Sequence, residues 1–345
     1  MPNLSISVPN LTTSTTVSSI LNNFKESSLG QVLTRPDILT LALFLSILIV
    51  LCGVGNALVC RTIFVTRRLH FPGYYFVASL AVADFLVGVF VLPLSLAYMM
   101  TFQMKGYWIF GEAVCDVWVL ASMWFGCASI LNLCAVTWDR YIAVTSPLLY
   151  VMRMSDRHVI RLIVGIWSTS FIAAIINCYG LKMSPTRVLC EVSGLPLIYS
   201  SIDFLLLFLL PLVCVVFVNC KIWIIATRQL KRIQAQVPQA IELNETQDTS
   251  VVDTSSSQSQ TSRNRTFKKE IKTFRTFLIV IGSFFCSWTP FYLMVFIDSF
   301  SKVIGVVAHF CVILTYVNSA SNPLIYGIFN REFRNALFRS LKCRT

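Results

Sequence analysis

Charge is scarce in this chain. Of its 345 residues only 13% are Asp, Glu, Lys or Arg, against about 25% in a soluble domain. Histidine is scarcer still. His70, His158 and His309 lie on different loops or span ends, so no set of imidazoles stands at metal-ligand spacing. A nucleophile–base pair and a glycine-rich phosphate loop are also missing. These absences argue against an enzyme. No basic patch is interleaved with stacking aromatics on a soluble domain, which argues against nucleic acid as a partner. No internal repeat and no inverted pair of interrupted apolar segments is visible, which counts against a transporter.

Apolar residues fill the space, at 56% against about 45–50% in a soluble domain. A run of about 20 apolar residues crosses a bilayer as a helix. Seven such runs occur, roughly at 38–64, 73–99, 113–140, 159–179, 197–226, 271–297 and 304–328. The expected fold is therefore an all-α membrane protein, a seven-transmembrane helix bundle. The net charge of +12 is one-sided. With the N-terminus outside, only Lys25, Arg35, Lys105, Lys182, Arg187 and Lys302 of the 28 Lys and Arg lie on the outer face. Positive residues favour the cytoplasmic side, so this orientation at the plasma membrane is expected.

Residues 1–36 are rich in Ser and Thr, without the cationic start and short apolar core of a cleaved signal peptide. They form the expected extracellular tail, with glycan acceptors at Asn3 and Asn10. The sequons at Asn244 and Asn264 fall on the cytoplasmic side and are expected to stay bare. Residues 37–328 hold the seven spans. The polar insert at about 229–268 is expected to be disordered at its Ser-, Thr- and Gln-rich centre, where hydroxyls could accept phosphate. Residues 329–345 form the last segment. There Phe329, Phe333, Leu337 and Leu341 recur every four residues while Arg331, Arg334 and Arg339 fall elsewhere. That pattern predicts a short amphipathic surface helix, bases toward anionic headgroups, with Cys343 as the expected palmitate acceptor. Most of the twelve cysteines sit inside spans as small hydrophobes. Cys115 and Cys190 lie on the oxidising side and are the expected disulfide, with Cys178 as a competitor.

Each span carries odd polar or kinking residues: Asn56; Asp84; Ser129, Asn132 and the Asp139–Arg140 pair; Trp167; Pro211; Trp288 and Pro290; and Asn318, Ser319, Asn322, Pro323 and Tyr326. As an ordered set this resembles the rhodopsin-like (class A) G protein-coupled receptors over all seven spans and the helix after them. The resemblance implies roles. Asp84, Ser129, Asn318, Ser319 and Asn322 would hold an allosteric sodium ion, with no other cofactor. Arg140 would pair with Asp139 and Glu270 in one state and meet a heterotrimeric G protein in the other. Pro211, Ile130 and Phe284 would repack on activation, Trp288 would floor the pocket, and Pro323 and Tyr326 would complete the switch. Receptor kinases and arrestin would be further partners. One departure is Asn219, where the family usually has a tyrosine that stabilises the active state.

Span three, with SILNLCAVTWDRY, most resembles the biogenic amine receptors. Their ammonium-pairing Asp is absent, because Ser122 stands there, while its usual partner Tyr316 remains. Another acid, Asp203, lies eight residues before Pro211, about 12 Å along a regular helix. The arrangement resembles a group of fish trace-amine receptors in which the acid has moved from span three to span five. Asp203 is thus the expected partner of a ligand ammonium. The alternatives are that it faces water or pairs with Arg187 or Lys182. Trp118, Met123, Gly126, Phe204, Phe291, Tyr292 and Tyr316 are expected around it, and their aromatic faces suit a cation. The expected function is a receptor for a small extracellular amine. The same-fold rival is a receptor for a lipid-like or peptide ligand, and the different-class rival is a transporter or channel. An opsin is excluded, because span seven has no lysine for a retinal Schiff base.

Overall fold

A computed structural model describes residues 36–105, 108–146, 150, 154–182, 190, 197–245, 254–301 and 303–342, with side chains outside the description at 102–105, 180–182, 226, 229–245, 254–275 and 342. Eight helical elements account for nearly all of them. They are α1 (Pro36–Val65), α2 (consecutive segments Pro72–Leu86, Val87–Val91 and Leu92–Lys105), α3 (Gly111–Thr145), α4 (Asp156–Lys182), α5 (Leu197–Ile202, Asp203–Leu209 and Leu210–Glu245), α6 (Thr254–Asp298), α7 (Gly305–Phe329) and α8 (Arg331–Lys342). The middle segments of α2 and α5 are π-turns. Each of these admits an extra residue into a helical turn.

Polarity in the bundle is inverted relative to a soluble protein. Asn56, Asp84, Asn132, Asn318 and Asn322 are buried, while Val50, Phe64, Val117, Val164, Phe217 and Trp223 are exposed on the outer faces. An apolar exterior of this extent is matched to lipid rather than water. Six helical segments, in α1 to α6, are long and apolar enough to cross a membrane. The seventh, α7, is 25 residues long. Its Asn318, Ser319, Ser321 and Asn322 make it more polar, and three of those four are buried against the other helices. Prolines interrupt α6 at Pro290 and α7 at Pro323, removing a backbone bond and permitting a bend.

A shared apolar core joins α1, α2, α3, α5, α6 and α8 through residues such as Ile63, Tyr74, Phe76, Leu80, Ile130, Leu133, Val215, Phe284 and Phe333. At one end of the bundle a disulfide joins Cys115 of α3 to Cys190. Cys178 stands outside it. At the other end α8 turns under the bundle. Phe333 and Ala336 are buried, Phe338 and Leu341 are exposed, and Arg61 of α1 donates to the Ser340 carbonyl at 3.1 Å.

The expected disorder around 229–268 is corrected over most of that insert. The backbone of α5 stays helical to Glu245 and that of α6 begins at Thr254. Composition misleads here because Gln, Lys, Arg, Ala and Glu in these stretches are good helix formers. Residues 246–253 lie outside the description, as do Asn3, Asn10, Arg187 and Cys343, and the side chains of Lys182, Asn244, Asn264 and Glu270.

Candidate functional site

At the disulfide end the helices enclose a cavity of about 340 Å³. Trp118, Ser122, Met123 and Gly126 of α3 line it, with Trp288, Phe291 and Tyr292 of α6 and Tyr316 of α7. Trp288 stacks on Phe284 at 5.5 Å and meets Phe291 edge-on at 5.7 Å. Its indole lies over Gly126, where a Cβ would stand 2.7 Å from Cη2. Only glycine gives the ring that berth. Tyr316 hydrogen-bonds Ser95 of α2, replacing the acidic partner that Ser122 does not supply. The Ser122 hydroxyl donates back to the Trp118 carbonyl at 2.7 Å. Asp298 and His309 line the mouth, and Asp298 Oδ1 accepts from the Val303 backbone N–H at 2.9 Å.

Asp203 and Phe204, expected among the ligand contacts, are not among the residues lining this cavity. Both lie in the π-turn Asp203–Leu209. An extra residue in a turn rotates side chains by about 100° from the face that a regular 3.6-residue period assigns. Phe204 stacks instead on Phe296 at 5.1 Å. Asp203 is buried and accepts a hydrogen bond from Asn177 Nδ2 of α4 at 2.7 Å. It has no cationic partner among the described residues. The carboxylate stands outside the cavity lining.

The cavity extends inward to Asp84, Ser129 and Ser319. Asp84 is fully buried and accepts from the Ser319 hydroxyl and from Asn322 Nδ2, each at 2.7 Å. Asn56 binds across to the Ser319 carbonyl at 3.1 Å. Ser129 Oγ, Asn318 Oδ1 and Asn322 Oδ1 are buried oxygens without a hydrogen-bond partner. Unsatisfied buried oxygens beside a carboxylate are a donor set for a hard cation, so the residues fit a sodium ion.

At the opposite end Asp139 is completely buried and Arg140 is 13% exposed. Arg140 donates to Asp139 Oδ2 from Nε at 2.9 Å and from Nη2 at 2.5 Å. The Tyr150 hydroxyl donates to Asp139 Oδ1 at 2.9 Å. Burial, and then the charge of Asp139, raise the Tyr150 phenol above its ordinary range, so it stays protonated and able to donate. Two rings face the guanidinium, with Cζ 5.7 Å from the centre of Phe71 and 5.6 Å from that of Phe277. Gly73 completes the fit, since a Cβ there would press on Arg140 and stand 2.7 Å from Asp139 Oδ2. Ile130 and Phe284 are buried in one cluster, and Pro211 is buried on α5. Tyr326 is buried beside Phe333. Asn219 donates to its own helix at the Val215 carbonyl.

The family profile described as "7 transmembrane receptor (rhodopsin family)" matches residues 55–326. The chain belongs to that family. The receptor is 31% identical to "Dopamine receptor 1" of Drosophila melanogaster over 332 residues, covering 90% of this chain and 64% of that one. It therefore spans less than two thirds of the length of the Drosophila protein. It is 35% identical over 300 residues to "Trace amine-associated receptor 7h" of Rattus norvegicus, covering 84% of this chain and 78% of that one. With the "D(1) dopamine receptor" of Carassius auratus the identity is 32%, and 87% of each chain is covered. The family consists of multi-pass plasma-membrane receptors rather than enzymes or transporters.

Several site residues escape a reading of the receptor's sequence. Asn177 is one of several polar residues in α4, and nothing in its spacing points to residue 203. Tyr150 and Phe71 sit in connections between spans. Gly73 had one signal, its place in FPGYYF at the start of α2.

Proposed function

We propose that the receptor binds a small organic amine from the extracellular side, pairs its ammonium with Asp203, and activates a heterotrimeric G protein through Arg140. One observation carries the amine. Asp203 is a buried carboxylate whose hydrogen-bond partner is a neutral amide, with no cation among the described residues. A buried charge is stable only when paired or well bonded, so the site lacks the one group that an ammonium brings. The aromatic wall of Trp118, Phe291, Tyr292 and Tyr316 suits the same ligand by cation–π attraction. The dopamine and trace-amine names of the relatives support the class.

Binding in the cavity displaces Tyr292 on its wall. Tyr292 touches Trp288 at 5.8 Å, and Trp288 stacks on Phe284. Displacement there repacks the Phe284–Ile130–Pro211 region and shifts the balance at Arg140. A sodium ion at Asp84, Ser129, Asn318, Ser319 and Asn322 would supply positive charge that favours the resting arrangement. Glu270 is a second resting partner for Arg140. The N-terminus is extracellular and glycosylated at Asn3 and Asn10. The cytoplasmic side meets receptor kinases and arrestin, while α8 and a palmitate on Cys343 hold anionic lipid.

A panel of mono- and diamines tested on wild type and Asp203→Ala in a second-messenger assay decides the ligand class. Active amines are expected to lose potency in the variant; retained potency would remove Asp203 from the site, and silence of every amine would remove the class. In the same assay Asp84→Asn is expected to abolish any dependence of amine potency on external sodium. An unchanged dependence would displace the ion from that cluster.

A further inference from the structure

The group that holds Asp203 is an amide, and its geometry leaves it little freedom. Asn177 of α4 is buried. Its Nδ2 donates to the Ala173 carbonyl at 3.2 Å and to Asp203 Oδ1 at 2.7 Å. Both amide protons are thus committed, one to its own helix and one to α5. The first bond orients the amide, and the second passes that orientation to the carboxylate. This matters because Asp203 lies in a π-turn, where the regular ladder of backbone bonds that would otherwise fix its direction is disturbed.

The chemistry of the partner matters as much as its position. A Lys or Arg in place of Asn177 would form an internal ion pair and cancel the attraction for an external cation. An amide gives a hydrogen bond and leaves the negative charge intact. It also engages only one oxygen. Asp203 Oδ2 takes no hydrogen bond from a described residue.

We infer that Asn177 is a positioning residue for amine recognition: its bond to Oδ1 holds the Asp203 carboxylate in the one orientation that leaves Oδ2 for a ligand ammonium. The inference rests on the amine reading of Asp203. In this inference Asn177 acts on the ligand only through its bond to Asp203.

The test uses the full receptor in cells, epitope-tagged so that surface level is measured beside second-messenger output. The probes are 2-phenylethylamine, tyramine, hexylamine and 1,5-diaminopentane. Asn177→Leu keeps the volume and removes the donor. If it fails to reach the surface, the smaller Asn177→Ala replaces it. Half-maximal concentrations of the active probes are expected to rise about tenfold, the effect of losing one charge-assisted hydrogen bond. Maximal response per surface receptor is expected to stay at wild-type level. A structural defect would do the reverse, lowering the maximum with potency unchanged. A potency change below about threefold, or a loss confined to the maximum, overturns the role of Asn177 and leaves the amine reading standing. If no probe activates wild type, the amine reading falls and this inference falls with it.

Discussion

Asp139 and Asp203 are both buried acids on apolar helices, and they are held in opposite ways. Asp139 has its own cation next along the chain, and the Tyr150 phenol takes its other oxygen. Asp203 has one bond from an amide and no cation among the described residues. The first site is complete by itself. Energy from elsewhere is needed to open it, which suits a switch that must stay shut at rest. The second site is incomplete, and an arriving cation gains there what Asp139 already has. On the proposed function the difference would assign directions of action: a ligand would be drawn to Asp203, and its effect would be felt where Arg140 leaves Asp139.

The largest effect expected from this contrast is at Asp203. The isosteric Asp203→Asn removes the charge without opening a cavity. Removing one partner of a buried charge pair costs about 2–5 kcal/mol, or about 30-fold or more in half-maximal amine concentration. Basal output should not change, because Asp203 is far along the bundle from Arg140. Equal potency in wild type and variant would show that Asp203 is as self-contained as Asp139.

Next in size is Gly73→Ala at the opposite end. The added methyl would press on Arg140 and Asp139 Oδ2, and overpacking of this kind costs about 1–3 kcal/mol. The cost falls on the closed arrangement alone, so ligand-free output per surface receptor should rise about fivefold or more. Amine potency should improve rather than fall, since opening no longer works against the full lock. Basal output at wild-type level would mean that the pair shifts aside without releasing Arg140.

Legibility of this molecule in its sequence follows the physics of each signal. Six spans are plain because apolar runs of span length have few other uses. The seventh is also read as an apolar run, at 304–328, though Asn318, Ser319 and Asn322 make it less apolar than the rest. Asp84 and the Asp139–Arg140 pair stand out because charge inside a span is expensive. The direction of Asp203 was not legible. Counting residues back from Pro211 assumes a regular period, and the π-turn breaks that period between the two. Asn177 and Gly73 were hidden for a different reason. Each matters through what lies opposite it on another helix, and contacts between helices leave no periodic trace in either strand of sequence. The long helical ends of α5 and α6 were missed because a Ser- and Gln-rich composition reads as solvated chain even where its neighbours extend a helix into it.

The smallest effect expected concerns the aromatic rings around Arg140. Phe71 and Phe277 place ring faces at 5.7 and 5.6 Å from the guanidinium carbon, inside the range of about 6 Å for cation–π attraction, which is worth about 0.5–1 kcal/mol at a partly exposed site. Phe71→Leu keeps an apolar side chain and removes the π face, so ligand-free output should rise about two- to fivefold. Phe71 precedes α2 and Phe277 lies on α6, and they make separate contacts with the cation, so Phe71→Leu with Phe277→Leu should multiply the two effects. Asp203 has no comparable clamp, and the same loss of ring faces should leave its affinity for amines unaltered apart from the gain that easier opening brings. If output stays flat in the single and double variants while Gly73→Ala raises it, the rings only pack, and the Asp139 bonds alone keep the switch shut.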